Sequence, residues 1–214
     1  MVRTNFDGQI ARLNEELIVM GALCEQAIGT VAEALVAGDA ELAMQVKAID
    51  EEIDRKERDI EALCLKMLLQ QQPVARDLRQ ISAALKMITD MERIGDQAED
   101  IAEIVGHLGS RTADEHVHIR EMAAAASKMV TGSVDAYVAQ DASLAEAVIA
   151  ADDGVDRYFD EVKYGLIGVI AANPEDGEFA LDLLMIAKYF ERIGDHATNI
   201  AEWVLFSITG EHEG

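Results

Sequence analysis

An internal repeat of about 100 residues constrains the fold of this chain more than any other feature. The segment Ala37-Gly-Asp-Ala-Glu-Leu-Ala43 recurs as Ala139-Gln-Asp-Ala-Ser-Leu-Ala145. Farther along, Glu92-Arg-Ile-Gly-Asp96 recurs letter for letter as Glu191-Arg-Ile-Gly-Asp195. A period of this length is too long for the unit of a solenoid, so it indicates a duplicated domain. We therefore expect two halves that fold alike.

Residues that begin and end helices recur at equivalent places in the two halves. Asp39 and Asp141 can each accept a hydrogen bond from an amide of a first helical turn, which predicts a helix start after each. Pro73 and Pro174 disfavour helical geometry at the preceding residue, which predicts that one helix ends there and another begins beyond. With only 2 prolines and 5% aromatic residues, the composition also favours helices. The sequence predicts an all-α protein with three helices in each half.

Apolar residues at alternating steps of three and four predict the buried faces of these helices. In the first half they are Ile10, Leu13, Leu17, Met20, Cys24, Ala27, Val31 and Ala34, then Ile49, Ile53, Ile60, Leu63 and Met67, then Ile81, Leu85 and Ile88. Long helices with such seams pack as antiparallel bundles. The stretch 106–114 has two glycines among polar residues, which predicts the link between the halves. We place the first domain at residues 1–109 and the second at 110–214.

Charge and hydropathy restrict the partners and the location of the chain. Its formal net charge of −23 would repel a nucleic-acid backbone, so nucleic acid is not expected as a ligand. Charged residues interrupt the N-terminal segment 1–17, which therefore lacks the apolar segment of a signal peptide. The longest apolar stretch, 164–172, is about half the length that crosses a bilayer. We expect a cytoplasmic protein whose contact with a membrane is peripheral.

The two cysteines fit that location. Cys24 and Cys64 both lie at apolar helical positions, where a cysteine is typically a small core residue. We therefore expect hydrophobic association, and not a disulfide, to hold the halves together.

Each half carries two pairs of carboxylates spaced four residues apart on helices. Such a pair lies one turn apart and about 40° round the helix, so both carboxylates can reach one ion. Glu92 and Glu191 also stand on faces that the preceding turns devote to apolar packing. The pairs are Asp50 with Asp54 and Glu92 with Asp96 in the first half, and Asp152 with Asp156 and Glu191 with Asp195 in the second.

Four carboxylates brought together are electrostatically costly unless protons or metal ions compensate them. Ligands that are all oxygen select hard ions such as Mg²⁺, Mn²⁺, Ca²⁺ or iron. The lack of a Cys/His cluster argues against a structural zinc site. The sequence thus predicts a carboxylate metal site in each half and leaves the ion undetermined.

Two other interpretations stay open at this point. Acid pairs at this spacing are common on exposed helices, and Arg93 and Arg192 can pair locally with the neighbouring aspartates; the chain would then be a metal-independent helical scaffold. A carboxylate di-iron or ferritin-like protein also places acids inside a helical bundle, but it needs Glu-x-x-His twice. Only 115–118 fits that motif, and it has no repeat partner.

These residues also carry a family resemblance. Gln72-Pro-Val-Ala-Arg-Asp-Leu-Arg79, Glu92-Arg-Ile-Gly-Asp96 and Phe190-Glu-Arg-Ile-Gly-Asp-His-Ala-Thr-Asn-Ile-Ala-Glu202 resemble the PhoU family, and the repeat extends the likeness over nearly the whole chain. PhoU proteins are accessory regulators of phosphate uptake and phosphate signalling in bacteria. The resemblance implies two three-helix bundles related by a pseudo-twofold axis, with metal ions or small metal clusters held by the paired Glu/Asp-xxx-Asp motifs. Iron, manganese and magnesium are the candidate ions.

The resemblance also implies a function. It implies a negative regulator that links the ATPase subunit of the phosphate ABC transporter to a membrane sensor histidine kinase, and that represses phosphate-starvation genes when phosphate is plentiful. No catalysis is implied, and association with the membrane is expected only through these partners. A homodimer is left open. Asp100 in the first half becomes Asn199 in the second; we include both as candidate ligands and expect the two sites to differ in affinity or nuclearity.

Overall fold

A computed structural model of the chain describes residues 2–71, 73–109, 111–112 and 118–211, with the backbone alone described for 2–5 and 71. Within these ranges the regular structure is entirely helical, which confirms the all-α prediction. The helices are α1 (Val2–Ala37), α2 (Ala40–Met44), α3 (Val46–Gln71), α4 (Ala75–Leu108), α5 (Ile119–Ala139), α6 (Ala142–Ala172) and α7 (Gly177–Thr209), with a 3₁₀ turn at Pro174–Asp176.

The helix boundaries predicted from Asp39, Asp141, Pro73 and Pro174 are confirmed. The Asp39 carboxylate accepts from the amides of Glu41 and Leu42, both at 3.0 Å. Asp141 accepts from the amide of Leu144 at 3.1 Å. Helix α3 ends at Gln71 before Pro73, and α6 ends at Ala172 before Pro174.

Two boundaries differ from the prediction. The second helix of the first half is divided at Gln45, whose amide donates to the carbonyl of Leu42 at 3.1 Å in a tightened, 3₁₀-like joint. Helix α4 continues to Leu108, through the glycine at which we expected the link to begin. It stops at Gly109, which has φ 66°, a positive value that glycine adopts without strain. The predicted domain boundary falls between α4 and α5; the domain bounds themselves stay a prediction.

Equivalent helices of the two repeats pair antiparallel at the centre of the molecule. In the α4–α7 pair, Lys86 near the start of α4 lies 5.8 Å from the ring centre of Trp203 near the end of α7. In the α1–α5 pair, the Thr131 hydroxyl donates to Glu25 at 3.2 Å. A pseudo-twofold axis between the repeats produces this antiparallel pairing of equivalent helices. Helices α3 and α6 pack outside this central group, each against the α4 or α7 of its own repeat.

The predicted seams form a continuous core that includes residues from both repeats. Leu17 and Met20 of α1 and Ile193 of α7 are fully buried in it. Cys24 and Cys64 are buried and free, as expected, and the Cys24 thiol donates to the carbonyl of Met91 at 3.4 Å. Because the same core serves both repeats, apolar burial holds the halves together.

Over Phe6–Ala37, helix α1 is long and apolar enough to span a membrane, by length and composition alone. Charged residues divide its apolar residues into short runs, so no long apolar run marks this helix in the sequence. A core helix of a globular protein satisfies the same test, and Leu13, Leu17 and Met20 of α1 are fully buried here. In this fold α1 therefore lies in the core against α3, α4 and α5.

Candidate metal centre

Each repeat brings an aspartate of its outer helix against the glycine of the Glu-Arg-Ile-Gly-Asp motif. A Cβ atom on Gly95 would lie 2.5 Å from Oδ1 of Asp50, so only a glycine allows this approach of α3 to α4. In the second repeat a Cβ on Gly194 would lie 3.3 Å from Oδ1 of Asp152. The glycines retained in both halves thus mark the points where the outer aspartates meet the motif helices.

Asp50 occupies a buried and strongly negative environment. Its residue exposure is 8%, and its Oδ1 atom is buried without a hydrogen-bond partner. Burial raises the pKa of Asp50 to about 7, and the nearby charges of Glu99, Asp54, Asp96 and Glu92 act in the same direction. The structure therefore brings all four predicted carboxylates of the first half into one electrostatic group.

The second half repeats this group in weaker form. Burial raises the pKa of Asp152 to about 6, with contributions from the charges of Asp156, Asp195, Asp153 and Glu191. The other three predicted carboxylates of this half therefore lie close enough to Asp152 to act on it. Burial is the largest cause of the rise in both halves, and Asp152 is less deeply buried than Asp50.

Basic residues offset part of the negative charge. Arg93 donates to Asp96 at 2.9 Å and lies 3.4 Å from Glu92. The metal-independent scaffold interpretation predicts this local pairing of Arg93 with neighbouring carboxylates. Lys188 pairs with Glu191, whereas the Arg192 guanidinium lies 5.7 Å from the ring centre of Tyr189. Among the described residues no basic side chain pairs with Asp50, so its charge is not compensated there.

Asp100 and Asn199 lie at the α4–α7 contact. The Asn199 amide donates to Asp90 at 3.1 Å, and Nδ1 of His196 lies 2.9 Å from the same Asp90 oxygen. Asn199 therefore contacts Asp90 of the other repeat. Burial raises the pKa of Asp100, aided by Glu103 and by Asp96. Their roles as metal ligands stay predictions.

The chemistry of the group suits a hard cation, although its side chains are not preassembled around one. Among the described residues, no three Asp, Glu, His or Cys side chains converge in a geometry that would hold a metal ion. The donor atoms of the predicted sites are carboxylate oxygens, which hard ions prefer. The orphaned Oδ1 of Asp50 is a buried acceptor that such an ion could satisfy. Binding would require the carboxylates to rotate toward one another.

Comparison with known proteins decides the family. A family model described as the PhoU domain matches the chain twice, over residues 17–105 and 119–204. The chain belongs to the PhoU family. A phosphate-specific transport system accessory protein PhoU homolog of Pseudomonas aeruginosa is 33% identical over 98% of the chain and 87% of that protein. A protein of the same name from Clostridium acetobutylicum is 34% identical over 99% of the chain and 97% of that protein.

Solved PhoU structures share the fold. The crystal structure of PhoU from Pseudomonas aeruginosa superposes with a TM-score of 0.89 at 34% identity, over 96% of this chain and 100% of that one. The structure of the phosphate transport system regulatory protein PhoU from Streptococcus pneumoniae gives 0.87 at 26% identity, over 98% and 99% of the two chains. The PhoU-like fold predicted from the sequence is thereby confirmed.

Sequence reasoning missed several acidic residues near the two candidate sites of this PhoU protein. Glu99 and Glu57 add negative charge at the first site. Their repeat equivalents are Thr198 and Phe159, so a comparison of the two repeats would have found them. Asp90 also has a non-acidic repeat equivalent, Tyr189. Its contacts with His196 and Asn199 cross between repeats, however, and spacing along a single helix does not predict such contacts.

The motif of the di-iron interpretation falls mostly outside the described residues. Glu115 belongs to the part of the chain that is not described. His118 is exposed at the start of α5, where its Nδ1 lies 3.9 Å from Glu121. It is not grouped with Asp50 or Asp152, so the structure gives that interpretation no support.

Proposed function

We propose that this PhoU protein is a negative regulator of phosphate uptake and of the phosphate-starvation response. Family membership supports the proposal, as do the names of its relatives, which are accessory proteins of a phosphate-specific transport system. The chain would act in the cytoplasm and repress phosphate-starvation genes when phosphate is plentiful. No catalytic step is proposed.

Its proposed partners are the ATPase subunit of the phosphate ABC transporter and a sensor histidine kinase. The protein would act as an adaptor between them and reach the membrane through them. Two similar repeats give an adaptor two related surfaces, which supports a role in bridging partners. A homodimer is compatible with the proposal and is not required by it.

Metal binding is the chemical part of the proposal. The observation that carries it is the equivalent placement of Asp50 and Asp152, each pressed against a motif glycine with its pKa raised by burial and by neighbouring carboxylates. A bound iron, manganese or magnesium ion would supply the positive charge that these groups lack. In each half the two pairs would hold it, with Asp100 and Asn199 at the edge.

The regulatory role is tested by deleting the gene in its native host and following a phosphate-starvation reporter in phosphate-rich medium. We expect derepression, which the unmodified gene supplied on a plasmid should reverse. Reporter expression that does not change on deletion would remove the repressing role.

A metal-independent scaffold is the second candidate, and the pairing of Arg93 with Asp96 and Glu92 favours it. Metal analysis of protein purified without chelator separates the two. Protein free of stoichiometric metal that still restores repression would establish the scaffold and rule out a role for the metal sites.

A further inference from the structure

Positive charge is concentrated at one end of an otherwise acidic molecule. Residues 62–89 contain four basic residues, Lys66, Arg76, Arg79 and Lys86, and a single acidic one, Asp77. This segment has a net charge of +3, whereas the rest of the chain carries −26. It comprises the last turns of α3 and the first turns of α4, so the basic residues share one end of the helical bundle.

The same end exposes large aliphatic side chains. Leu69, in the last turn of α3, is 83% exposed, and Val74, directly before α4, is 71% exposed. Leu65 and Leu78 are about half exposed one to two turns farther from the end. Single exposed apolar residues are ordinary, but here four large ones lie at the adjoining ends of α3 and α4. We call these four residues and the basic residues around them the α3–α4 end.

Lys66 and Arg76 of the α3–α4 end are exposed and available to a partner, whereas Arg79 is half-buried beside Gly210. Across the described ranges, no carboxylate oxygen lies within 4 Å of Lys66, Arg76 or Arg79. Most other basic residues of the chain, such as Arg93 and Lys56, are in ion pairs. An excess of unpaired cations beside exposed aliphatic groups indicates a partner that is both anionic and apolar.

The equivalent end of the second repeat, where α6 leads to α7, provides a comparison within the same chain. It also exposes apolar side chains, including Ile167 at 55% and Leu181 at 59%. Yet residues 164–188 contain four acidic residues and one basic residue, a net charge of −3. The two ends therefore differ in charge while sharing apolar exposure, which makes the positive charge of the α3–α4 end a specific property of the first repeat.

We propose that the α3–α4 end binds the surface of an anionic lipid bilayer directly. Leu69 and Val74 would enter the boundary between headgroups and acyl chains, while Lys66 and Arg76 contact lipid phosphates. The remaining acidic surface is repelled by such a bilayer, so only this end approaches it. Because screening acts over about 8–10 Å at physiological salt, distant acidic residues do not cancel the attraction. This contact adds a direct attachment to the proposed one through protein partners.

The placement of the apolar groups favours lipid over a protein partner. The two most exposed side chains flank the connection at the extreme end of two helices, where they project from the molecule. Projecting aliphatic groups between long basic side chains suit a fluid interface, into which they insert while the cations stay in the headgroup layer. An acidic protein surface is the competing partner, and the experiment includes it.

The test is sedimentation of the full chain with vesicles of phosphatidylcholine alone and of phosphatidylcholine with about 40% phosphatidylglycerol, at about 50 and 300 mM salt. We expect binding to the anionic vesicles that weakens with salt. Lys66→Gln/Arg76→Gln should lower the partition coefficient by about tenfold or more, since each cation near an anionic surface strengthens binding severalfold. Leu69→Ser/Val74→Ser should also lower it. The matched control, Ile167→Ser/Leu181→Ser, should bind as the parent does.

Three results would overturn the proposal. The first is no salt-sensitive binding of the unmodified chain to anionic vesicles, which no folding defect can explain. The second is binding that the Lys66/Arg76 and Leu69/Val74 variants, shown to be folded by circular dichroism, leave unchanged. The third combines two observations: the unmodified chain does not bind vesicles, and the same variants lose binding to the purified ATPase subunit or kinase. The α3–α4 end would then be a protein-docking surface. The vesicle assay does not depend on phosphate regulation, so it can fail while the proposed function stands.

Discussion

The glycine of each Glu-Arg-Ile-Gly-Asp motif shows how one residue can set the chemistry of a site. Gly95 admits Asp50 to the surface of α4, and its absent side chain is what lets a carboxylate reach a buried position there. A helix would gain about 0.5–1 kcal/mol from alanine at such a position. The motif has glycine in both halves. The close approach of the outer aspartate to the motif helix therefore matters more at this position than the higher helix propensity of alanine.

The first prediction follows from these glycines. Gly95→Ala should displace Asp50, because the new Cβ would lie 2.5 Å from its Oδ1. We expect metal affinity of the first site to fall by about tenfold or more, as for other changes that misplace a ligand. Gly194→Ala is the matched control, since its Cβ would meet Asp152 at 3.3 Å and can be accommodated by a smaller shift. Metal titration by calorimetry measures both, and equal effects of the two would contradict this role of Gly95.

The pH dependence of the metal-free protein is the second prediction. The folded pKa of Asp50 is raised to about 7, above the usual value near 3.9 for an unfolded chain. Between those values the folded state holds a proton that the unfolded state has lost. The free energy of unfolding should therefore fall as pH rises from about 4 to 7 and level off above.

Asp50→Asn tests that prediction by removing the titrating group. At pH 8 the variant should be more stable than the parent by about 1–3 kcal/mol in the presence of chelator, and its stability should vary less with pH. Urea unfolding at pH 5 and pH 8 measures both effects. Glu51→Gln, at an exposed position next to Asp50, is the control that should change little. Parental stability that rises between pH 5 and 8 would show that the raised pKa of Asp50 does not control the pH dependence of folding.

At the scale of elements, local signals predicted the helices well and their tertiary contacts poorly. The seam from Leu13 to Ala34 is buried as predicted, and Asp39 and Asp141 cap helices, because apolar periodicity and capping act within a few residues. The joint at Gln45 and the continuation of α4 to Leu108 carried no comparable local signal. Glycine near a helix end is typical of a break, but burial of Val105 and Leu108 against the core keeps the last turn helical.

The candidate site likewise has features that the sequence predicted and contacts that it did not. Spacing along single helices predicted which carboxylates share a face, and the structure places Asp50 against the motif as that spacing suggested. The contact of Asn199 with Asp90 could not be predicted, because it depends on how α4 crosses α7. The pairing of Arg93 with Asp96 and Glu92 was one of two local alternatives that the sequence alone left open.

The capping aspartates give the third prediction. Asp39→Ala removes an acceptor that serves the amides of Glu41 and Leu42. The free energy of unfolding should fall by about 1 kcal/mol. Asp39→Asn keeps a capping oxygen and should stay close to the parent. Thermal or urea unfolding of both variants is the measurement, and an alanine variant as stable as the asparagine variant would show that the cap contributes nothing.

At the scale of the whole molecule, the duplicated repeats are joined by burial. Helix α4 packs against α7, and α1 packs against α5, along faces that belong to one continuous core. A single repeat would expose the α4 and α1 faces that the other repeat covers. Large exposed apolar faces drive association, so the repeats depend on each other although they are similar in sequence.

The fourth prediction concerns an isolated repeat. A fragment of residues 1–112 should not be a cooperatively folded monomer. We expect it to dimerise, with α4 of one copy taking the place of α7 against the other, or to bind hydrophobic dyes as an expanded state. Sedimentation and thermal unfolding of the fragment measure this, with the full chain as the reference that unfolds in one transition. A monomeric fragment with a sharp transition would show that each repeat has a sufficient core of its own.

The most direct test of the metal centres is the metal content of a variant in which Glu92→Gln and Asp96→Asn are combined. The two changes keep side-chain size and helix phase but remove two carboxylates from the first site only. Protein purified without chelator should lose the share of metal that the first site holds and keep the rest, because the second site at Asp152 is untouched and each site binds on its own. Glu51→Gln/Glu52→Gln removes two exposed carboxylates nearby and should retain the parental content. If the Glu92/Asp96 variant matches the parent in metal content and in stabilisation by added metal, these carboxylates are an acidic surface and the metal centres do not exist.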